Sequence, residues 1–342
     1  MTTAYVTHPL YIDHDFPGHP EHAGRIKAVW RELESSGITP RLLKLTPDEI
    51  SDAQVLSVHT EGYLNILNML PIQERTIMLD PDTYALPETG EIARLSAGGV
   101  VLAVDAVMTG QAQNAMACVR PPGHHALVER GMGFCILGNV PIAVKHAQKK
   151  YGVERVLVVD FDVHHGNGTQ DMFYSDPSVL FISTHQYPFY PGTGRAEETG
   201  AGQGKGATLN IPLPPGTGDK GFMRVYEQLV WPAARRFRPE LIVVSAGFDA
   251  HWRDPLAQLR LSLTGYAHLT RELKLMADEL CGGKIVFAME GGYDLEALAH
   301  GWRNIAHVLL GESEISDPLG FRQGEEPNLQ PLIDYLHGLH TL

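Results

Sequence analysis

The sequence predicts an α/β protein in which a largely parallel sheet lies between two helical layers. Three observations carry this expectation. Short apolar runs recur at 116–119, 156–159, 179–182, 241–244 and 284–289, and none alternates polar with apolar. Strands buried on both faces of a parallel sheet read this way. Stretches of helical period separate them, at about 90–109, 139–150, 221–237, 265–281 and 295–310, so strand and helix alternate as in βαβ units. Finally, a polar motif follows four of the five runs directly, and ligands of open parallel sheets bind beyond the carboxyl ends of the strands.

Taken in order, the first 80 residues read as mostly helical and are expected to pack on the sheet's edge. After Met116–Val119 comes Arg120-Pro121-Pro122-Gly123-His124-His125. After Val156–Val159 comes Asp160-Phe161-Asp162-Val163-His164-His165-Gly166-Asn167-Gly168. The Gly-rich stretch 191–206 reads as a loop. Leu241–Val244 leads into Ser245-Ala246-Gly247-Phe248-Asp249, and Lys284–Met289 into Glu290-Gly291-Gly292-Tyr293. These four motifs are expected to converge on one pocket. No linker-like shift in composition divides the chain, so 1–342 reads as one domain.

Composition narrows the function. Of 342 residues, 27 are Lys or Arg and 40 are Asp or Glu, a net charge of -13. That excess argues against a sequence-independent grip on nucleic acid and against adhesion to an anionic membrane. Three widely spaced cysteines, Cys118, Cys135 and Cys281, do not make a disulfide framework. The first residues lack the pattern of a signal peptide, and no apolar run approaches a membrane span. The expectation is a cytoplasmic protein. Seventeen histidines, clustered rather than scattered, point to metal or proton-transfer chemistry.

Asp162 and His164 stand two apart, which in an extended segment sends both side chains to one side. With Asp249 from another strand end they make a three-ligand set that leaves a position open, as a catalytic zinc requires. Two carboxylates offset the charge of the ion, so the chemistry also needs a base and an oxyanion donor. His124 and His125 supply the first and Tyr293 the second. Asp160 and Asn167 are the candidates to bind the remaining nitrogens of the two histidines. Cys135 reads as a small packed residue, and Trp30, Trp231 and Trp302 as core. His14, His19 and Asp82 are candidates for the pocket rim.

These motifs, with Gly133-Phe134-Cys135, Asp254-Pro255-Leu256, the early His19-Pro20-Glu21 with Arg25, and Val58-His59-Thr60 with Tyr63, resemble the zinc-dependent histone deacetylase superfamily in order and spacing. The likeness spans about 8–310 and leaves the tail after 312 without a role. It implies the arginase/deacetylase fold, three αβα layers around an eight-stranded, mostly parallel sheet. It implies one zinc per chain on Asp162, His164 and Asp249, with Fe(II) as an alternative, His125 as principal proton shuttle beside His124, and Tyr293 polarising the acyl carbonyl. Gly133, Phe134, Tyr190, Leu256 and Gly292 would contact substrate. Asp160, Asp162, His164, Ser183 and Thr184 would hold a structural potassium or sodium ion. Asn167, where class I relatives carry Asp, should raise the basicity of His125 less than a carboxylate would.

The implied reaction is hydrolysis of acetylated lysine. Acetylpolyamine and other small acyl-amide amidohydrolases share the machinery, but Leu256 stands where polyamine-selective relatives carry an acidic gatekeeper, which favours acyl-lysine or a neutral acyl amide over polyamines. A dinuclear ureohydrolase is disfavoured because 160–164 reads Asp-x-Asp-x-His rather than Asp-x-His-x-Asp. A non-catalytic acyl-lysine reader is disfavoured by the complete set of candidate groups. Oligomeric state is not legible.

Overall fold

The computed structural model describes residues 2–313 and 315–342. Its strands, in chain order, are β1 (Thr3–Val6), β2 (Leu43–Leu45), β3 (Ile77–Asp80), β4 (Thr83–Ala85), β5 (Asn114–Ala117), β6 (Val156–Asp160), β7 (Val179–Gln186), β8 (Thr208–Leu213), β9 (Leu241–Ala246) and β10 (Ile285–Met289). Among the described residues eight of them form one sheet, ordered β2-β1-β5-β10-β9-β6-β7-β8, while β3 and β4 make a separate antiparallel hairpin. Every pairing within the large sheet is parallel. The helices Gly24–Ser35, Leu263–Cys281 and Leu295–Leu309 pack together as one layer, and Thr89–Met108 with Asn139–Tyr151 as another. None of the described helices is long and apolar enough to cross a membrane.

The central strands are apolar throughout because both faces are covered. Val156–Val159 and Leu241–Val244 have no exposed surface. Burying a Val or Leu side chain contributes about 1.5–3 kcal/mol, so the loops beyond these strands stand on a rigid platform.

Five expected strands and five expected helices are found, with small shifts. β5 begins two residues earlier than its apolar run, because Asn114 is also buried, its amide donating to the Leu309 carbonyl at 3.1 Å. The helix expected over 221–237 is interrupted by a π turn, Tyr226–Val230, next to Pro232. Proline cannot donate in a helix interior, and the wide turn accommodates it. The reading of the first 80 residues needs correction. They do lie at the sheet's edge, but they supply two of its strands, β1 and β2. β2 has only three residues, with Lys44 between its two leucines, and β1 opens on Thr3, which leaves an apolar run of only Ala4–Val6. β8 escaped notice because Asn210 and Pro212 break its apolar run, and Pro212 is tolerated because β8 is the opposite edge strand.

Candidate active site

β5, β10, β9 and β6 are neighbours at the centre of the sheet, and their ends are level. Asp160 is opposite both Ser183 and Ser245, Ser245 is opposite Ala288, and Ala288 is opposite Ala117. The four polar motifs therefore leave the sheet side by side. Backbone donors then tie them together. Gly291 N–H donates to Asp162 Oδ2 at 2.8 Å, Val163 N–H to Asp249 Oδ1 at 2.9 Å, and Phe248 N–H to the Gly291 carbonyl at 3.0 Å.

Asp162 and His164 do converge, but not along an extended strand. β6 ends at Asp160, and the chain bends through 162–164. The bend is built by carboxylates capping the backbone: Asp160 Oδ1 accepts from Asp162 N–H at 3.1 Å, and Asp162 Oδ1 from His164 N–H at 2.9 Å. His164 Nδ1 lies 3.2 Å from Asp162 Oδ1 and 3.2 Å from Asp249 Oδ2. One donor atom from each of Asp162, His164 and Asp249 lies within 4.8 Å of the other two. Burial, and then the charge of Asp162, pushes the Asp249 carboxyl up to about 7, with His164 opposing. Two carboxylates so close are costly to ionise together, and a divalent cation where the three side chains meet relieves that cost. The donor set thus fits such an ion. Two glycines make room for it: a Cβ on Gly247 would collide with the Asp162 carboxylate, and one on Gly291 with that of Asp249.

His124, Cys135 and Glu290 also group closely. Their donors are committed elsewhere. Glu290 Oε2 accepts from Gly123 N–H at 2.7 Å and His124 N–H at 3.1 Å, and burial pushes the Cys135 thiol well up. This second group is a brace under the histidine turn, and Cys135 is a packed thiol that accepts from His125 N–H at 3.4 Å.

The rings of the histidine pair lie against each other, tilted by 39° with centroids 4.0 Å apart. Each ring is oriented by the residue expected from the sequence. His124 Nδ1 lies 3.0 Å from Asp160 Oδ2, and His125 Nδ1 lies 2.7 Å from Asn167 Oδ1. Both acceptors put the proton on Nδ1 and leave Nε2 facing the pocket. Their environments differ. Burial disfavours the charged form of each, but around His124 the carboxylates Asp162, Asp160 and Glu290 outweigh it and hold its pKa well above the ordinary value. Around His125 burial is reinforced by His124 and His164, and its pKa falls well below the ordinary value. Two adjacent groups driven apart in this way are suited to opposite proton roles.

Tyr293 follows the Gly-Gly pair and stands edge-on to Phe134 at 5.8 Å between centroids. Burial raises the pKa of its phenol well above the ordinary value; Arg25 opposes, and Asp249 and Asp162 add to the rise. The phenol stays protonated. Its backbone is held by groups the sequence reading did not assign. Asp254 Oδ2 accepts from Tyr293 N–H at 2.7 Å, and Arg25 donates to the carbonyls of Gly292 and Glu290 at 2.8 and 2.5 Å. Arg25 also donates to Glu21 at 3.1 Å, and Glu21 takes two bonds from Arg120, at 2.5 and 2.7 Å. This ion triad is wholly buried and joins the Arg-Pro-Pro-Gly-His-His segment to the Glu-Gly-Gly-Tyr segment. Glu21, Arg25 and Arg120 all sit inside quoted motifs, which was the available signal.

The remaining candidates fall around the same space. Phe134 adopts a left-handed backbone with φ 69°, unusual for a non-glycine residue, and its N–H donates to Thr83 Oγ1 at 3.0 Å. Gly133 is also left-handed, and a Cβ there would strike the His125 ring. Tyr190 meets the edge of His125 at 5.2 Å and of His164 at 6.0 Å. Leu256, Asp15, Phe16, His19 and Tyr293 line a cavity of about 450 Å³ at the mouth. Gly292 approaches Phe248. Ser183 and Thr184 are buried beside Asp160, whose carbonyl accepts from Thr184 Oγ1 at 3.3 Å. Asp82 is half-buried, and its carbonyl bonds His19 at 3.0 Å. His14 is not at the rim: it is buried, bonded to Thr89 at 2.8 Å and stacked on Tyr84 at 4.4 Å. Trp302 is core, whereas Trp30 and Trp231 are only partly buried against it.

Comparison with known proteins adds independent findings. The model of the histone deacetylase domain matches residues 19–309. A probable deacetylase of Archaeoglobus fulgidus is 44% identical over 86% of this chain and 82% of its own length. A histone deacetylase-like amidohydrolase of Pseudomonas aeruginosa is 41% identical over 90% of this chain and 81% of its own. The crystal structure of the HDA15 HD domain superposes with a TM-score of 0.91 at 35% identity, covering 99% of this chain and 96% of that one.

Proposed function

The chain belongs to the histone deacetylase family and is a hydrolytic deacetylase, and from that premise we propose that it is a zinc-dependent enzyme that cleaves acetyl groups from lysine side chains of proteins or peptides. The observation that carries the reading is the meeting of Asp162, His164 and Asp249 beside two histidines whose Nδ1 atoms are held by Asp160 and Asn167.

Asp162, His164 and Asp249 would hold the ion, zinc by preference and Fe(II) as the alternative for so hard a donor set. When bound, the ion supplies a Lewis acid that polarises the amide carbonyl and acidifies water. His125, neutral and with Nδ1 committed to Asn167, accepts the proton of the attacking water at Nε2. It returns that proton to the departing amine nitrogen. His124, whose charged form its carboxylates favour, would place positive charge next to the growing oxyanion. The protonated phenol of Tyr293 donates to the same oxygen. Gly133, Phe134, Tyr190 and Gly292 form the passage for the lysine methylenes. Asp160, Asp162, His164, Ser183 and Thr184 would hold a structural potassium or sodium ion beneath. Residues 1–342 act as one cytoplasmic deacetylase domain, with no role for nucleic acid or membrane.

The preference for acyl-lysine rests on Leu256 at the mouth, an apolar residue that offers no charge to a second ammonium. Hydrolysis of acetylpolyamines is the alternative, and Asp15 in the same cavity favours it. Acetate release from an acetyl-lysine peptide and from N-acetylputrescine tests the choice. A kcat/KM ratio of about ten or more for the peptide, about 1.4 kcal/mol of discrimination, supports the lysine reading. The reverse ratio supports the polyamine one, and no release from either overturns both.

A further inference from the structure

We infer that the segment 315–329, beyond the residues matched by the family model, is a strap that fixes the turn Ala250–Leu256, with Trp252 and Asp317 as positioning residues for Tyr293. The importance of Tyr293 rests on the deacetylase reading; the strap itself rests on geometry alone.

The turn matters because it carries Asp254. One carboxylate oxygen of Asp254 accepts from Tyr293 N–H at 2.7 Å and Asp294 N–H at 3.3 Å, and the other from Leu256 N–H at 2.9 Å. A displacement of the turn therefore moves the phenol's backbone and the mouth residue together. Toward the helix that follows Tyr293, the turn is held by Arg253, which pairs with Asp294 at 3.1 Å and Glu296 at 2.8 Å. Glu296 is largely exposed and that pair contributes little, whereas Asp294 is mostly buried; on its other side the turn is tied by two backbone bonds, Trp252 N–H to the Leu261 carbonyl and Leu261 N–H to the Ala250 carbonyl, both at 3.0 Å.

The tail supplies another hold. The Trp252 indole N–H donates to the Gly320 carbonyl at 2.9 Å. Gly320 is itself held, because its N–H donates to Asp317 Oδ1 at 2.8 Å. Asp317 Oδ2 accepts from the N–H and hydroxyl of Thr264 at 3.0 and 2.9 Å, serving the first turn of the helix Leu263–Cys281. On one side of this grip, Ser316 and Asn304 exchange two hydrogen bonds at 2.9 and 2.8 Å. On the other, Glu326 takes the N–H groups of Gly218, Lys220 and Gly221 at 2.9, 3.1 and 2.8 Å, and Leu329 is buried in the core. The strap is thus anchored at both ends, and its middle holds the indole.

The test uses the full chain and two readouts. Trp252→Phe keeps the ring's bulk and removes only the donor. Amide exchange in peptides covering 250–256 and 290–294 should then quicken about tenfold while sheet peptides keep their rates, and kcat should fall about fivefold with KM unchanged. Asp317→Ala, which frees Gly320 without touching the turn, should do the same. Asp317→Asn, which keeps an acceptor for Gly320, should recover most of both. Unchanged exchange at 290–294 in Trp252→Phe overturns the inference, as does faster exchange throughout the chain. Wild-type protein that releases no acetate overturns the deacetylase reading alone, because the exchange data still decide the strap.

Discussion

The carboxamide oxygen of Asn167 lies 2.7 Å from Nδ1 of His125 and fixes that ring's proton without adding charge. The neighbouring His124 instead faces the carboxylate of Asp160 at 3.0 Å. One amide in place of a carboxylate thus separates two histidines whose rings touch. Burial together with His124 and His164 keeps His125 below its ordinary pKa, so it remains a free base well into acid. In Asn167→Asp the new carboxylate favours the imidazolium, and the acid limb of the pH profile of kcat/KM should move to higher pH. A profile that superposes on the wild type would remove His125 from the role of base.

Tyr293 is expected to act only in the transition state. Tyr293→Phe should lower kcat by about 10²–10³, the usual cost of one oxyanion donor, while metal content per chain stays unchanged. Both are measurable on one preparation, by turnover and elemental analysis. Near-wild-type turnover would exclude the phenol from the chemistry.

Gly291 packs against the carboxylates of Asp249 and Asp162, where a Cβ would collide with both, and its N–H holds Asp162. Gly291→Ala should displace a donor rather than unfold the sheet. The expected outcome is a folded protein by circular dichroism with about 10–100-fold weaker metal affinity, the range seen when groups supporting a ligand are lost. Retention of metal at the wild-type affinity would mean that these carboxylates are not the ion's seat.

Glu21 governs acid stability. Burial opposes its charge, but Arg120 and Arg25 outweigh burial and lower its pKa from 4.5 to about 2. Its contribution is therefore complete above about pH 4.5 and is lost as pH falls toward 2. The gap corresponds to about 3 kcal/mol at neutral pH. Glu21→Gln should lose at least that much at pH 7, because two arginines remain buried without their counter-charge, typically a cost of about 3–5 kcal/mol. It should also show a flatter stability curve between about pH 4.5 and 2. Chemical denaturation across that range checks both, and parallel curves for the two proteins would refute the assignment.

Much of this was legible in the sequence because the relevant forces act locally. An apolar run of four to six residues specifies a strand buried on both faces wherever it stands, and the residue after it specifies what emerges at the sheet's end. That is why Asp162, His164, Asp249, His124, His125 and Tyr293 group together in the sequence itself, and why Asp160 and Asn167 pair there with the two rings. The short strands β1 and β2 and the interrupted β8 were invisible for the complementary reason. They are strands because neighbours complete their hydrogen bonds, not because their own residues insist on it.

Tertiary structure alone decided how the pieces are held. Arg25 and Gly292 are 267 positions apart, and Arg120 and Glu21 are 99 apart. No periodicity links such residues, and a buried charge is tolerable only where folding delivers its partner. The same holds for the bend that aims Asp162 and His164, for Asp254 beneath Tyr293, and for the tail's grip on Trp252. Sequence determined which chemistry gathers at the sheet's end, because residue type and local pattern are written in order along the chain. Distance and orientation within that chemistry came from long-range hydrogen bonds and ion pairs, which exist only once the chain has closed on itself.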